Sequence, residues 1–300
     1  VGLAPIFLMR SCAGWFDTDI LNLLFPLLII WTYLLSYRSH SLMRRLFWVF
    51  FMSFLVGLFC FTWSQWWFIF LIIAIYETIS LGYLIFLSAY FKKTVAVLIK
   101  ERIISLLSFL FFGFLWIILL SGTKPLIVLY SQIKQAFILN KPLMSSIWPN
   151  VYYTVGELKR TSIAEIASLI WGKPVFITSL ICMVVLLIRA LWGRSFDNFR
   201  RACIVILAIW FVSMSFASLR GVRFVVFLLV PLGISLGWVM NETFVYFRNK
   251  KNILGIAAVA AVLIVFSVAS VRKAHQAAAT LYPLMDDNWY KVLNIIKEKT

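Results

Sequence analysis

The feature that most constrains this chain is a series of apolar runs, each long enough to cross a lipid bilayer. A spanning helix needs roughly 17–25 predominantly apolar residues. Such runs lie at 20–37, 46–62, 67–91, 103–120, 174–191, 202–218, 224–240 and 252–270, which predicts eight spans. Between 46 and 120 the interruptions at Trp63-Ser64-Gln65-Trp66 and Lys92-Lys93 are uneven, so the pattern also admits shorter helices there. Composition agrees with the spans: 63% of the 300 residues are apolar and 13% charged, whereas soluble chains are about 45–50% apolar and about a quarter charged. The expected class is an all-α polytopic membrane protein.

The net charge of +17, from 28 Lys and Arg against 11 Asp and Glu, takes its meaning from that class. In a membrane protein an excess of Lys and Arg holds short loops in the cytoplasm, so nucleic acid is not the expected partner. Arg38, Arg44 and Arg45 fall in loop 38–45; Lys92, Lys93, Lys100 and Arg102 in 92–102; Arg189, Arg194, Arg200 and Arg201 in 189–201; Arg248, Lys250 and Lys251 in 248–251. These loops are assigned to the cytoplasm. Alternation then puts residues 1–19, the Trp63 turn, the stretch 121–173, the turn 219–223 and the tail from 271 outside. Cys12, Cys60, Cys182 and Cys203 have no metal-ligand spacing and three lie in apolar runs, so neither a disulfide framework nor a zinc site is expected. The chain opens at Val1 without Met and reads as a fragment of a longer protein.

Two outer regions are large enough to act. The stretch 121–173 is long for a structureless connection and predicts two short helices. One over 125–140 aligns Leu126, Leu129, Ile133 and Phe137; a second begins at the capping box Ser162-Ile163-Ala164-Glu165. The other region, Pro283 to Thr300, places Trp289, Val292 and Ile295 or Ile296 at helical spacing. This divides the chain into a transmembrane domain, 1–270, and the start of an extracytoplasmic domain, 271–300.

With so few carboxylates, each can be asked what it does. Glu101, Asp197 and Glu242 lie in or beside basic loops and need only solvation; Glu165 caps a helix, Asp286 and Asp287 can cap another, and Glu298 lies on a solvated face. Glu77 falls inside a span, where an ionisable group is a functional candidate by default; the alternative is a polar group satisfied by neighbouring helices, although no partner is visible in the sequence. Asp17-Thr18-Asp19 either caps the helix that begins near Ile20 or offers oxygen ligands to a hard divalent cation. Glu157, in Thr154-Val155-Gly156-Glu157, has no local structural task beyond that of a solvated loop acid.

The basic residues hold a matching anomaly. Arg220 and Arg223 lie in the short outer turn Ser218-Leu219-Arg220-Gly221-Val222-Arg223-Phe224, on the side where cations are disfavoured, and Arg10 precedes Asp17 by seven residues. Guanidinium groups bind phosphate oxygens through paired N–H donors; snorkelling to lipid headgroups is the simpler account. Together these residues describe an outward-facing site for a metal and a phosphorylated lipid.

At this point a family can be named. Arg10-Ser11-Cys12-Ala13-Gly14-Trp15-Phe16-Asp17-Thr18-Asp19 resembles the second acidic motif, with its preceding arginine, of the catalytic subunit of N-oligosaccharyltransferases. Thr154-Val155-Gly156-Glu157 is similar to that family's TIXE motif in its bacterial and archaeal form. Ser218 to Phe224 resembles the arginine-bearing turn two spans later, and Asp287-Asn288-Trp289-Tyr290 through Thr300 resembles the helix before the WWDYG motif. The resemblance implies a C-type glycosyltransferase transmembrane fold with a long external loop. It implies transfer of a preassembled glycan from a polyprenyl-pyrophosphate or -phosphate carrier to the asparagine of Asn-X-Ser/Thr, at the outer face of a bacterial or archaeal cell membrane. Partners are then the lipid-linked oligosaccharide, the acceptor polypeptide and membrane lipids.

The implied roles are specific. Asp17, Asp19 and Glu157 hold Mg²⁺ or Mn²⁺ and serve catalysis, with Glu157 also contacting the acceptor amide; Arg10 and Arg223, with Arg220 beside them, hold the phosphates. The family's first catalytic aspartate and its WWDYG motif lie outside this chain. The family also has six spans between the second acidic motif and the long loop, where this sequence reads as four. Two other classes share the architecture: a glycosyltransferase using lipid phosphates with hydroxyl or lipid acceptors, and a transporter or flippase, which would concentrate polar residues at mid-membrane.

Overall fold

The computed structural model describes residues 4–11, 19–91, 96–138, 161–192, 197–279 and 287–299. Among the described residues the chain is helical without strands, and eight helices are long and apolar enough to cross a membrane. Lipid offers backbone N–H and C=O groups no water, so each span must satisfy its own hydrogen bonds, which a helix does. The elements are α1 (Pro5–Ser11), α2 (Asp19–Arg38), α3 (Leu42–Thr62), α4 (Trp67–Phe91), α5 (Ala96–Ser121), α6 (Lys124–Ile138), α7 (Ile163–Ile170), α8 (Lys173–Trp192), α9 (Asn198–Arg220), a 3-10 segment (Val222–Leu228), α10 (Leu229–Asn249), α11 (Ile253–Ala279) and α12 (Asp287–Lys299). The described residues of 46–120 therefore form three helices and not a larger number of short ones. Four helices, α2 to α5, occupy the stretch where the family resemblance implies six spans.

The helices outrun the apolar windows that announce them. α5 begins at Ala96 where the apolar run begins at 103, α10 reaches Asn249, and α11 passes residue 270 to end at Ala279. Helical hydrogen bonding does not stop where charge appears, because Lys and Arg can lay their stems along the helix and carry the charge toward water. One consequence is a correction: Arg102, a loop cation by its sequence neighbours, is a buried residue of α5.

Packing among α2 to α5 rests on small residues and interlocked rings, as expected where lipid removes the hydrophobic drive between helices. A Cβ at Gly57 of α3 would sit 2.8 Å from the Trp116 Cβ of α5, so the two backbones approach closely only because that atom is missing. Trp116 then meets Phe50 and Phe54 with ring centroids 5.6 and 5.0 Å away. Between α4 and α5, Phe70 stacks on Phe109 at 4.7 Å. α8 packs on α9 and α10, and α9 joins this group to the first through contacts with α2 and α4.

Long-range contacts define two rims. At one, Arg45 pairs with Glu101 at 2.7 Å, Arg38 lies over the Phe199 ring at 6.0 Å, and Arg189 pairs with Glu242. Arg45–Glu101 joins the starts of α3 and α5, Arg38–Phe199 the end of α2 to the start of α9, and Arg189–Glu242 the C-terminal parts of α8 and α10. They also give Glu101 and Glu242 ion-pair partners, and Asp197 N-caps α9 by accepting from the Arg200 N–H at 2.8 Å; all three carboxylates do more than the solvation expected of them. At the opposite rim Trp63 stacks on Phe227 at 5.4 Å, joining the α3–α4 turn to the 3-10 segment.

Candidate functional site

The second rim carries the arginine turn. α9 ends at Arg220, and Gly221 adopts an extended conformation while donating its N–H to the Ala217 carbonyl at 3.0 Å. The chain then enters the 3-10 segment instead of a regular α-helix. Pro231, the third residue of α10, supplies a reason: it lacks an N–H for the carbonyl of Phe227, and its ring crowds that carbonyl, so the preceding turn tightens. Val225 to Leu228 are buried, which fixes the segment against the bundle.

The two guanidinium groups rest on aromatic surfaces. Arg220 lies 3.9 Å from the Phe216 ring centroid, one turn earlier on α9. Arg223 lies 5.6 Å from the Phe224 ring and 6.0 Å from that of Trp63, the C-cap of α3. A planar guanidinium can face a ring and still present its N–H fork edge-on to a second partner.

Other elements converge on this rim. Ser162 caps α7 by accepting the Glu165 N–H at 3.2 Å, the forward half of the expected capping box. The preceding residue, Thr161, is buried and donates its hydroxyl to the Ser218 carbonyl in the last turn of α9. α7 reverses into α8 through Gly172, whose φ of +89° suits glycine and whose N–H reaches the Ala167 carbonyl at 2.8 Å. α7 also packs on the 3-10 segment, and α1 packs against α2, α7, α11 and the 3-10 segment.

Of the remaining candidate residues, Arg10 belongs to α1 and Asp19 opens α2, with the backbone alone described at both. Asp17 and Glu157 lie outside the described residues, on segments that lead into α2 and Thr161. Among the described residues no group of three His, Cys, Asp or Glu side chains could hold a metal.

A second polar cluster is only partly legible in the sequence. Glu77 accepts from the Tyr33 hydroxyl at 2.5 Å and from Arg102 at 2.9 Å, and Arg102 lies 3.9 Å from the Tyr37 ring centroid. The spanning carboxylate thus has partners on α2 and α5. Beside it is a cavity of about 10 Å³, lined in part by Tyr33, Ser36, Glu77 and Ser105, no larger than one water. The signal that sequence reasoning misses is Arg102, hidden among the cations of an apparent loop.

A polytopic all-α bundle with an arginine turn, α1 and the start of α7 at one rim defines a membrane protein whose candidate site lies at one end of its long apolar helices. The chain belongs to the family described as oligosaccharyl transferase STT3, N-terminal, whose model matches residues 1–276. The dolichyl-phosphooligosaccharide-protein glycotransferase of Methanococcus voltae is 28% identical over 266 residues, covering 78% of this chain and 28% of that relative. The chain therefore spans little more than a quarter of the relative's length. No solved structure matches it.

Proposed function

We propose that this chain is part of an enzyme that transfers a preassembled oligosaccharide from a polyprenyl-(pyro)phosphate carrier to the asparagine of Asn-X-Ser/Thr, at the outer membrane face and with a divalent metal. The observation that carries the reading is the meeting of α1, the 3-10 segment and α7 at one rim, in a chain of the oligosaccharyl transferase family. These elements carry or adjoin Arg10, Arg223 and Glu157. The donor set suits Mg²⁺ or Mn²⁺: Asp17, Asp19 and Glu157 are hard oxygen ligands, and the thiols of Cys60 and Cys182 are buried in the bundle, away from them in sequence. Those three carboxylates would hold the ion, and the chemistry it supplies when bound is Lewis-acid neutralisation of charge on phosphate oxygens.

The reaction is substitution at an anomeric carbon. The bond from that carbon to the phosphate oxygen breaks, its electron pair leaves with the phosphate, and a bond forms to the acceptor nitrogen, which loses a proton to the Glu157 carboxylate. Arg10, Arg220 and Arg223 hold the departing phosphates through charge-assisted hydrogen bonds, so negative charge develops against fixed positive charge. The Glu157 carboxylate accepts from the acceptor N–H groups, turning the carboxamide out of conjugation and exposing the nitrogen lone pair. Positioning does the rest, since alignment of two bound reactants removes much of the entropic barrier.

The test is glycan transfer to an Asn-X-Thr peptide by the full-length protein in lipid. Asp17→Ala and Glu157→Ala should each lower turnover by about 10²–10³, the size of a lost transition-state contact, and Arg223→Ala should act mainly on KM for the lipid donor. Removing divalent metal should abolish transfer and Mn²⁺ restore it. Undiminished transfer by both carboxylate variants would overturn the site assignment, and transfer to a lipid or hydroxyl acceptor in place of the peptide would overturn the reaction.

A further inference from the structure

We infer that Thr161 is a positioning residue, a clasp that holds the Arg220–Arg223 turn against the exit of the loop bearing Glu157; this rests on the function proposed above. The last four carbonyls of a helix have no partner within it, and the Ser218 carbonyl is one of these at the end of α9. Thr161 supplies the missing donor from 57 residues away in sequence. The bond is enclosed: Thr161 is 7% exposed and Ser218 0%. The Ser218 hydroxyl, also buried, has no hydrogen-bond partner among the described residues, so Ser218 is tied to the start of α7 through its carbonyl.

The position of Ser218 in the chain gives the tie its consequence. Arg220 is two residues further on and Arg223 five, and the chain between them makes its turn through the extended Gly221. On the other side of the clasp, Thr161 leads directly into the N-cap of α7, and Glu157 lies four residues before it. Thr161 therefore links the two stretches that carry the phosphate-binding and carboxylate halves of the proposed site. A shift of about 1 Å in such a connection can cost about 10² in rate. Nothing in a purely structural tie requires it to sit between these particular residues.

The experiment compares Thr161→Val, which keeps the shape and loses the donor, with Thr161→Ser, which keeps the donor, in the full-length protein in nanodiscs. Two readouts are taken beside the melting temperature: KM for the lipid-linked donor against kcat, and amide hydrogen exchange over 218–224. Thr161→Val should raise donor KM about five- to tenfold, the loss of one buried hydrogen bond, and speed exchange in the turn by a similar factor. Thr161→Ser should restore both, and in an Arg223→Ala background Thr161→Val should add little to donor KM. Unchanged exchange in the valine variant, failure of serine to rescue, or a full additive effect in the Arg223→Ala background overturns the clasp. If the wild-type protein transfers no glycan, the functional reading falls; the exchange arm still decides whether Thr161 holds the turn.

Discussion

Glu77 carries a carboxylate into the membrane-spanning part of α4, and its partners determine what that costs. Its side chain is 6% exposed and that of Arg102 10%, so both charges leave water and must satisfy each other. Breaking such a pair by removing one partner strands the other and costs about 3–5 kcal/mol, while replacing both with apolar groups of like volume is often neutral. Glu77→Ala and Arg102→Ala should each destabilise the bundle by that amount. The double variant Glu77→Leu/Arg102→Met should lie within about 1 kcal/mol of the parent, measured by detergent-titrated unfolding; additive losses would mean the two residues do not act as a pair. The same residues show what a sequence can reveal at this scale. An ionisable group in an apolar run is conspicuous, so Glu77 could be singled out, but its partners come from α2 and α5 and are brought to it only by packing. Thr161 illustrates the harder case: one hydroxyl amid unremarkable neighbours, meaningful only because α9 ends opposite it.

At the scale of elements, the eight spans are legible because lipid leaves the backbone few choices, and apolar length alone nearly dictates a helix. Ends are less legible, since hydropathy marks where apolar side chains stop and helices continue into charged residues: α5 starts at Ala96, well before its apolar window. The capping box at Ser162 is readable because it is local chemistry, one hydroxyl and one N–H three residues apart. Helix separation is not, because it depends on which side chains face each other. Gly57 is the clearest instance: its added Cβ would come within 3.1 Å of the Trp116 carbonyl carbon, which is backbone and cannot rotate away. Gly57→Ala should therefore push α3 from α5 and cost about 1–3 kcal/mol, the usual penalty of overpacking. Trp116→Ala in the same background should recover none of the loss, because alanine keeps the Cβ and the carbonyl carbon that the new methyl group meets. A Gly57→Ala variant as stable as the parent would show that α3 and α5 do not approach this closely.

At the scale of the whole molecule, the two rims arise from contacts that local patterning cannot supply. The basic ends meet through Arg45–Glu101, Arg38–Phe199 and Arg189–Glu242; the opposite ends meet through Trp63–Phe227 and Thr161–Ser218. Short loops rich in Lys and Arg stay in the cytoplasm, so the basic rim should be cytoplasmic and the arginine turn outside. Ser64 and Thr123 are exposed at the turn rim, and His40 and Asn252 at the basic rim. In a cysteine-free background, Ser64→Cys and Thr123→Cys should react in intact cells with a membrane-impermeant maleimide, while His40→Cys and Asn252→Cys should react only after permeabilisation. With the turn outside, as this labelling should show, Arg220 and Arg223 would stand on the side the insertion bias leaves poor in positive charge. An anionic phosphate at the outer surface would offset that, whereas a cytoplasmic arginine turn would need no such ligand. Labelling of His40→Cys in intact cells, with Ser64→Cys protected, would invert the molecule and remove the physical motive for a phosphate site at this turn.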